Sequence, residues 1–168
     1  MTQTREMNMK GCQITDTEEI RAILENSGIC RLGFSENGVP YVIPINYGYT
    51  YKDGVITLFF HSTRIGRKID IMKENPLVCF EADYVIRIDP DKNPDRNAVI
   101  WESIVGTGTM QEVTDFDEKR LLLGNMMRVF KRYNPHYCPT PLTDSRVINI
   151  KVFKLVLDEF KAKRLYHA

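Results

Sequence analysis

Alternation of hydrophobic and polar residues along most of the chain predicts a protein built mainly from β-strands. Two turn signals separate the first three strands, because Asn37-Gly38 and Asp53-Gly54 favour the positive φ angles that tight hairpins require. Strands joined in this way form an antiparallel meander, so the pattern favours a small barrel over a doubly wound sheet. The predicted strands cover residues 29–35, 39–50, 55–61, 77–85, 98–113 and 146–157.

Three segments show helical spacing of their hydrophobic residues instead. A capping-box pattern from Thr15 to Glu18 begins the first helix, and Ser27-Gly28 ends it. Thr114-Asp115 caps the third helix. The predicted helices cover residues 15–26, 66–74 and 114–133, and polar, proline-rich loops cover residues 87–97 and 134–144.

Composition and charge fit a single soluble domain. The chain has 168 residues, of which 43% are hydrophobic, and we expect a flexible N-terminal tail over 1–13 and one domain over 14–168. A formal net charge of +1 argues against a nucleic-acid partner. The sequence shows no signal-peptide core and no run long enough to cross a bilayer, so we expect a cytoplasmic protein with no membrane partner. The four cysteines form no CxxC pair or Cys/His cluster, and we expect no metal site.

The segment after the third strand carries the most informative chemistry. Arg67 and Lys68 fall in the first turn of the second helix, where cations are disfavoured by the helix dipole by about 0.3–1 kcal/mol. A bound anion would offset this cost, and the hydroxyls of Ser62 and Thr63, together with Arg64, could converge on a phosphate. A solvated basic helix start is the alternative interpretation.

Several segments, in this order, together resemble the FMN-binding split-barrel family of pyridoxamine 5′-phosphate oxidase-like proteins, and within it the branch related to nitroimidazole resistance (Nim) proteins. The resemblance is good over residues 14–113 and looser beyond. It implies an antiparallel split β-barrel with flanking short helices and FMN bound at the interface of a homodimer. The segments are 40–47, 59–62, 66–70, 75–80 and 103–108.

The resemblance also implies roles for individual positions. Arg67 and Lys68 match the basic pair that holds the FMN phosphate, and Ser62 matches a hydroxyl on the phosphate side. Glu102 and Ser103 match a strand that reaches the flavin, often from the partner subunit. The remaining matched positions lie along the flavin ring or its ribityl chain: Pro44, Ile45, Asn46, Tyr47, Phe60 and His61.

His61 is the candidate catalytic residue. In Nim-type proteins a histidine at this place faces the active site, and a pKa near neutrality would let it donate a proton to the reduced acceptor. The alternative is a polar residue at a strand end with no task. Strand alternation places Phe59 and His61 on one face, so both would line the outer groove if Phe60 faces the core.

The resemblance implies an FMN-dependent oxidoreductase that reduces a small-molecule acceptor, with a nitroaromatic compound as one candidate. True pyridoxamine-phosphate oxidases carry a C-terminal Arg-x-His motif, whereas residues 163–168 space their arginine and histidine differently, so vitamin B6 oxidation is not expected. A non-enzymatic flavin- or haem-binding module is the alternative, with His61 as a candidate haem ligand, and a protein–protein scaffold is a third hypothesis. Residues 133–137 predict either a substrate wall or an aromatic loop packed on the barrel.

Overall fold

One curved antiparallel sheet dominates the computed structural model, which describes residues 10–165. Its neighbouring strands run in the order β3-β2-β6-β7-β8-β5-β4, and the short β1 pairs with β8. Within the described residues the strands are β1 (Gln13–Ile14), β2 (Cys30–Glu36), β3 (Val39–Ile45), β4 (Gly48–Lys52), β5 (Val55–Ser62), β6 (Leu77–Asp89), β7 (Ala98–Val113) and β8 (Lys151–Leu165).

Short helices flank the sheet. Helices α3 and α4 follow each other directly, and none of the helices in the described part of the chain is long and apolar enough to span a bilayer. The helices are α1 (Thr17–Asn26), α2 (Arg67–Glu74), α3 (Phe116–Met126), α4 (Arg128–Tyr133) and α5 (Asp144–Asn149), with 3-10 turns at Lys10–Cys12 and Pro94–Arg96.

The two edges of the sheet belong to consecutive strands. β3 and β4 are separated only by Asn46 and Tyr47, yet they occupy opposite ends of the strand order and do not pair. The sheet must therefore curve until its edges approach each other without closing by hydrogen bonds. This is an antiparallel split β-barrel with short flanking helices, and it confirms the predicted fold class.

Two hydrophobic clusters cover β5 from opposite sides. Phe60 lies in the main core inside the barrel, which contains most of the large buried side chains. Phe59 lies in a second cluster, where α3 and α5 pack on the outer face of the sheet around Val147 and Val152. Both phenylalanines are only 1% exposed. The strand that carries the candidate site is thus held rigidly on both faces.

The structure corrects several predicted boundaries. The predicted strand 39–50 breaks at Asn46-Tyr47, and the predicted final strand 146–157 begins only at Lys151, because α5 precedes it, and runs on to Leu165. The predicted third helix is interrupted at Met127. Asp16, not Thr15, caps α1, since its carboxylate accepts hydrogen bonds of 2.9 and 3.0 Å from two backbone N–H groups.

The predicted N-terminal tail over 1–13 is wrong at its C-terminal end. Residues 10–12 form a 3-10 turn, and Gln13 pairs with Lys163 on β8, so the ordered domain begins before residue 14. Residues 1–9 of the predicted tail, and 166–168 of the chain's C-terminal end, lie outside the described residues.

Gly108 allows β7 and β8 to approach closely at an irregularity in their pairing. A Cβ atom at this position would overlap the backbone carbonyl oxygen of Val156. Gly108→Ala should therefore lower the free energy of unfolding by about 1–3 kcal/mol, measured by urea denaturation. Gly124→Ala is the control, because nothing lies within 4 Å of a Cβ there and α3 should gain up to about 1 kcal/mol. Equal stability of the two variants would contradict this interpretation.

Candidate functional site

The junction between β5 and α2 has an open helix start. Four residues, 63–66, connect the strand to the helix. Gly66 precedes the helix with a φ of 139°, a conformation that side chains with a Cβ rarely adopt. No side chain caps α2, so its first backbone N–H groups have no capping partner. The first backbone N–H groups of α2 are therefore available to an external acceptor.

Two buried polar atoms at the end of β5 have no hydrogen-bond partner among the described residues. They are Nδ1 of His61 and Oγ of Ser62. Ser62 is only 6% exposed. An unsatisfied buried polar group costs about 1–3 kcal/mol, so nearly all such groups in folded proteins are paired. Ser62 ends β5, and only four residues separate it from α2, so a phosphate-bearing ligand at this junction would fit its hydroxyl. His61, the preceding residue, points to the opposite face of the strand.

The two basic residues predicted to hold the phosphate are not equivalent. Glu36 Oε2 accepts hydrogen bonds from Nε and Nη2 of Arg67 at 3.0 and 2.7 Å, and the guanidinium lies 4.4 Å from the centre of the Tyr41 ring. Lys68, by contrast, makes no ion pair with any described residue, and it is only partly exposed. The Arg67–Glu36 pair is half-exposed and contributes about 0–1 kcal/mol, so Arg67 can leave it at little cost.

His61 faces a cavity of about 750 Å³ on the outer side of the sheet. Burial is the main cause that lowers the pKa of His61, and the positive charges of Arg146 and Lys68 lower this pKa further. The imidazole is therefore neutral at neutral pH, with one nitrogen able to donate and the other able to accept a hydrogen bond. Asn46 lines the same cavity from the link between the two edge strands.

Hydrophobic side chains from α3 and α4 form the opposite wall of this cavity. Tyr137 also lines it and packs against Phe130 of α4 with 5.5 Å between ring centres, so of the predicted segment 133–137 this residue borders the cavity. Tyr133 is 72% exposed and borders a neighbouring cavity instead. The sequence analysis did not identify four wall residues as part of the site: Met126, Met127, Phe130 and Arg146.

The predicted ring-side positions divide between the cavity and the core. Tyr47 is buried, and its hydroxyl donates a 2.6 Å hydrogen bond to the carbonyl of Leu24, although its side chain also borders the cavity. Pro44 is exposed on β3, and Ile45 is half-buried against the main core. Phe60 lies inside the barrel. Phe59 shares a face with His61, but α3 covers it, so it does not line an open groove.

Glu102 and Ser103 lie on β7, outside the lining of the His61 cavity in the same chain. Glu102 is 1% exposed, accepts a hydrogen bond from the Tyr84 hydroxyl and forms an ion pair with Arg164. Ser103 pairs with Asp83 on β6, and Asp83 lines a neighbouring cavity together with Asn46. A single chain does not bring these two residues to the cavity.

Comparisons with known proteins agree with this architecture. The sequence profile of the pyridoxamine 5′-phosphate oxidase family matches residues 16–164. A candidate 5-nitroimidazole antibiotic resistance protein from Bacteroides thetaiotaomicron is 28% identical with a TM-score of 0.76, over 90% of this chain and 86% of that chain. A search of curated proteins found no match.

Two more distant solved structures share the fold. The flavocytochrome Anf3 from Azotobacter vinelandii is 18% identical with a TM-score of 0.75, over 99% of this chain and 75% of that one. An FAD and heme binding protein from Mycobacterium smegmatis is 15% identical with a TM-score of 0.73, over 90% and 72% of the two chains. The resemblance inferred from the sequence is confirmed, and this chain belongs to the pyridoxamine 5′-phosphate oxidase family.

Proposed function

We propose that this protein is a flavoprotein that binds FMN at the β5–α2 junction and reduces a small acceptor in the adjoining cavity. The proposal rests on the unpaired buried hydroxyl of Ser62 at the strand end before the uncapped start of α2, and on His61, which faces the adjoining cavity. A phosphate there would accept hydrogen bonds from the Ser62 hydroxyl and from helix N–H groups, while Lys68 balances its charge. Arg67 would complete the set after exchanging Glu36 for the phosphate.

A single terminal phosphate suits this junction better than an internal diphosphate would. The connection between strand and helix is only four residues long, and its donors converge from one strand end and one helix start. FMN is therefore the form of flavin that we propose. The similarity to the candidate nitroimidazole resistance protein supports a nitroaromatic-type acceptor.

Bound FMN would supply two-electron redox chemistry, with electrons that a nicotinamide or protein reductant provides beforehand. Reduction of a nitro group to a nitroso group takes up two electrons and two protons and releases one water. The chain's own contribution is binding, exclusion of water and movement of protons. His61 would hold and pass a proton at the nitrogen that faces the acceptor, and the hydrophobic wall of α3 and α4 would keep bulk water away.

We also propose that the functional unit is a homodimer. Paired residues on neighbouring strands point to the same side of a sheet. On the outer face, one such row runs across four strands and consists of Val42, Gly33, Cys79 and Thr107. Val42 is 60% exposed in the single chain. Burial of this face against a second copy would cover exposed hydrophobic surface.

The purified protein tests the flavin proposal directly. We expect flavin absorbance bands in the protein as isolated, or after incubation with FMN, and tighter binding of FMN than of riboflavin in fluorescence titrations. FAD titrated in parallel distinguishes the two phosphorylated flavins, and a Soret band would indicate haem instead. Absence of saturable binding of both FMN and FAD would reject the proposal.

A further inference from the structure

The cavity beside His61 has an unusual charge balance. Among the described residues that line it, none is aspartate or glutamate, and Arg146 alone is permanently charged. The rest of the wall is largely hydrophobic or aromatic. An arginine that borders a cavity without a carboxylate partner is available to a ligand that brings a negative charge with it.

The position of Arg146 is fixed by the helix that carries it. α5 is capped by Thr143, whose carbonyl accepts a 3.0 Å hydrogen bond from the backbone N–H of Arg146. The next residue, Val147, is 0% exposed and anchors α5 in the second hydrophobic cluster. Arg146 itself is exposed, and it lines the cavity from a firmly packed helix.

No carboxylate in the described part of the chain lies within ion-pair distance of Arg146. Asp144, which is two residues earlier on the same helix, forms its ion pair with Arg120 instead. The charge of Arg146 is nevertheless close enough to act on His61. The cavity thus places a permanent positive charge and an imidazole on one side, opposite a hydrophobic wall.

We propose that the acceptor bound in this cavity is a small aromatic carboxylate, whose carboxyl group Arg146 binds while the ring packs against Met126, Met127 and Phe130. This inference rests on the proposed function, in which the cavity adjoins the flavin. A planar guanidinium forms two parallel hydrogen bonds to a carboxylate, which fixes the orientation of the ligand as well as its charge. The other end of the ring then lies toward the interior of the cavity.

Two matched probes test the charge requirement: 4-nitrobenzoate and its neutral methyl ester, titrated into the FMN-loaded protein by calorimetry. The ester is the more hydrophobic molecule, so a cavity in which Arg146 does not contact the ligand should bind the ester more tightly. We expect the carboxylate to bind at least tenfold more tightly than the ester. Equal affinities, or a preference for the ester, would overturn the inference.

Substitution of the arginine tests its assignment. In Arg146→Gln the preference for the carboxylate should disappear while binding of the ester stays unchanged, and in Arg146→Lys part of the preference should return. Arg128→Gln is the matched control, because Arg128 borders a different cavity next to α1 and its loss should leave the preference intact. Thermal unfolding of each variant checks that the protein still folds.

The flavin readout keeps the two proposals separate. If Arg146→Gln weakens FMN but not riboflavin and leaves the carboxylate preference intact, Arg146 belongs to the flavin phosphate and this inference is wrong. If the protein binds neither FMN nor FAD, the same probes are titrated into the flavin-free protein. A carboxylate preference that depends on Arg146 there would reject the proposed function while supporting this inference.

Discussion

Lys68→Ala should lower the affinity for FMN about tenfold or more and leave the affinity for riboflavin nearly unchanged. Hydrogen bonds to a charged phosphate contribute about 1.5–3 kcal/mol each, and riboflavin lacks the phosphate. Lys68 makes no ion pair with the described residues, so the whole of its charge is available to the ligand. Fluorescence titration of both flavins measures the difference.

Arg67→Ala should have a smaller effect than Lys68→Ala. Arg67 must first give up its contact with Glu36. Its net contribution to FMN affinity is therefore the free energy of the phosphate contact minus that of the Glu36 contact. The double variant should lose more than tenfold in FMN affinity, with some deviation from additivity because the two residues are neighbours. Lys73→Ala is the control, since this lysine lies at the other end of α2 and pairs with Asp70. If both single variants bind FMN as tightly as the parent protein, the phosphate assignment is wrong.

Local turn chemistry made the hairpins of this fold predictable. Asn37 and Gly38 have φ angles of 52° and 82°, and Asp53 and Gly54 have 51° and 79°, as two-residue hairpins with positive φ at both positions require. Gly66 likewise occupies a conformation that favours glycine at the start of α2. These features depend on one or two residues, so a single sequence contains all the information needed.

Long-range contacts explain what the sequence analysis missed. The chain from Val39 to Thr50 alternates continuously, and the break at Asn46-Tyr47 reflects a hydrogen bond from Tyr47 to Leu24 on another element. α5 has only six residues, too few for helical periodicity to differ from strand alternation, which is why Arg146 was placed in a strand. The pairing of Arg67 with Glu36 spans 31 residues. No local pattern encodes such a partner.

Only some of the site residues could be grouped from the sequence of a single chain. His61, Ser62 and Lys68 come together through the short β5–α2 connection, so their grouping followed from sequence order alone. Glu102 and Ser103 are buried in their own chain and do not line the cavity, so only the family resemblance implied a flavin role for them. Their flavin role therefore stays a prediction.

His61→Gln should leave FMN bound but slow acceptor reduction by about 10²–10⁴-fold, the usual contribution of a general acid or base. Glutamine keeps a polar group of similar size in the cavity wall and cannot carry the proton. His136→Gln is the control, because His136 is exposed and does not line the cavity. Steady-state rates with any active acceptor measure the effect, and FMN absorbance confirms that the cofactor is retained.

The pH dependence gives this role a second and independent readout. Burial and the charges of Arg146 and Lys68 place the pKa of His61 below its usual value, so the fraction of protonated imidazole falls as the pH rises through that pKa. If His61 donates the proton, kcat should fall over the same acidic range, and the fall should be absent in His61→Gln. A bound phosphate dianion would offset the positive charges of Arg146 and Lys68. The pKa of His61 measured by NMR should therefore rise when FMN is added. Full activity and an unchanged pH profile in His61→Gln would make His61 a polar residue at the end of a strand, while loss of FMN from that variant would make it a cofactor ligand.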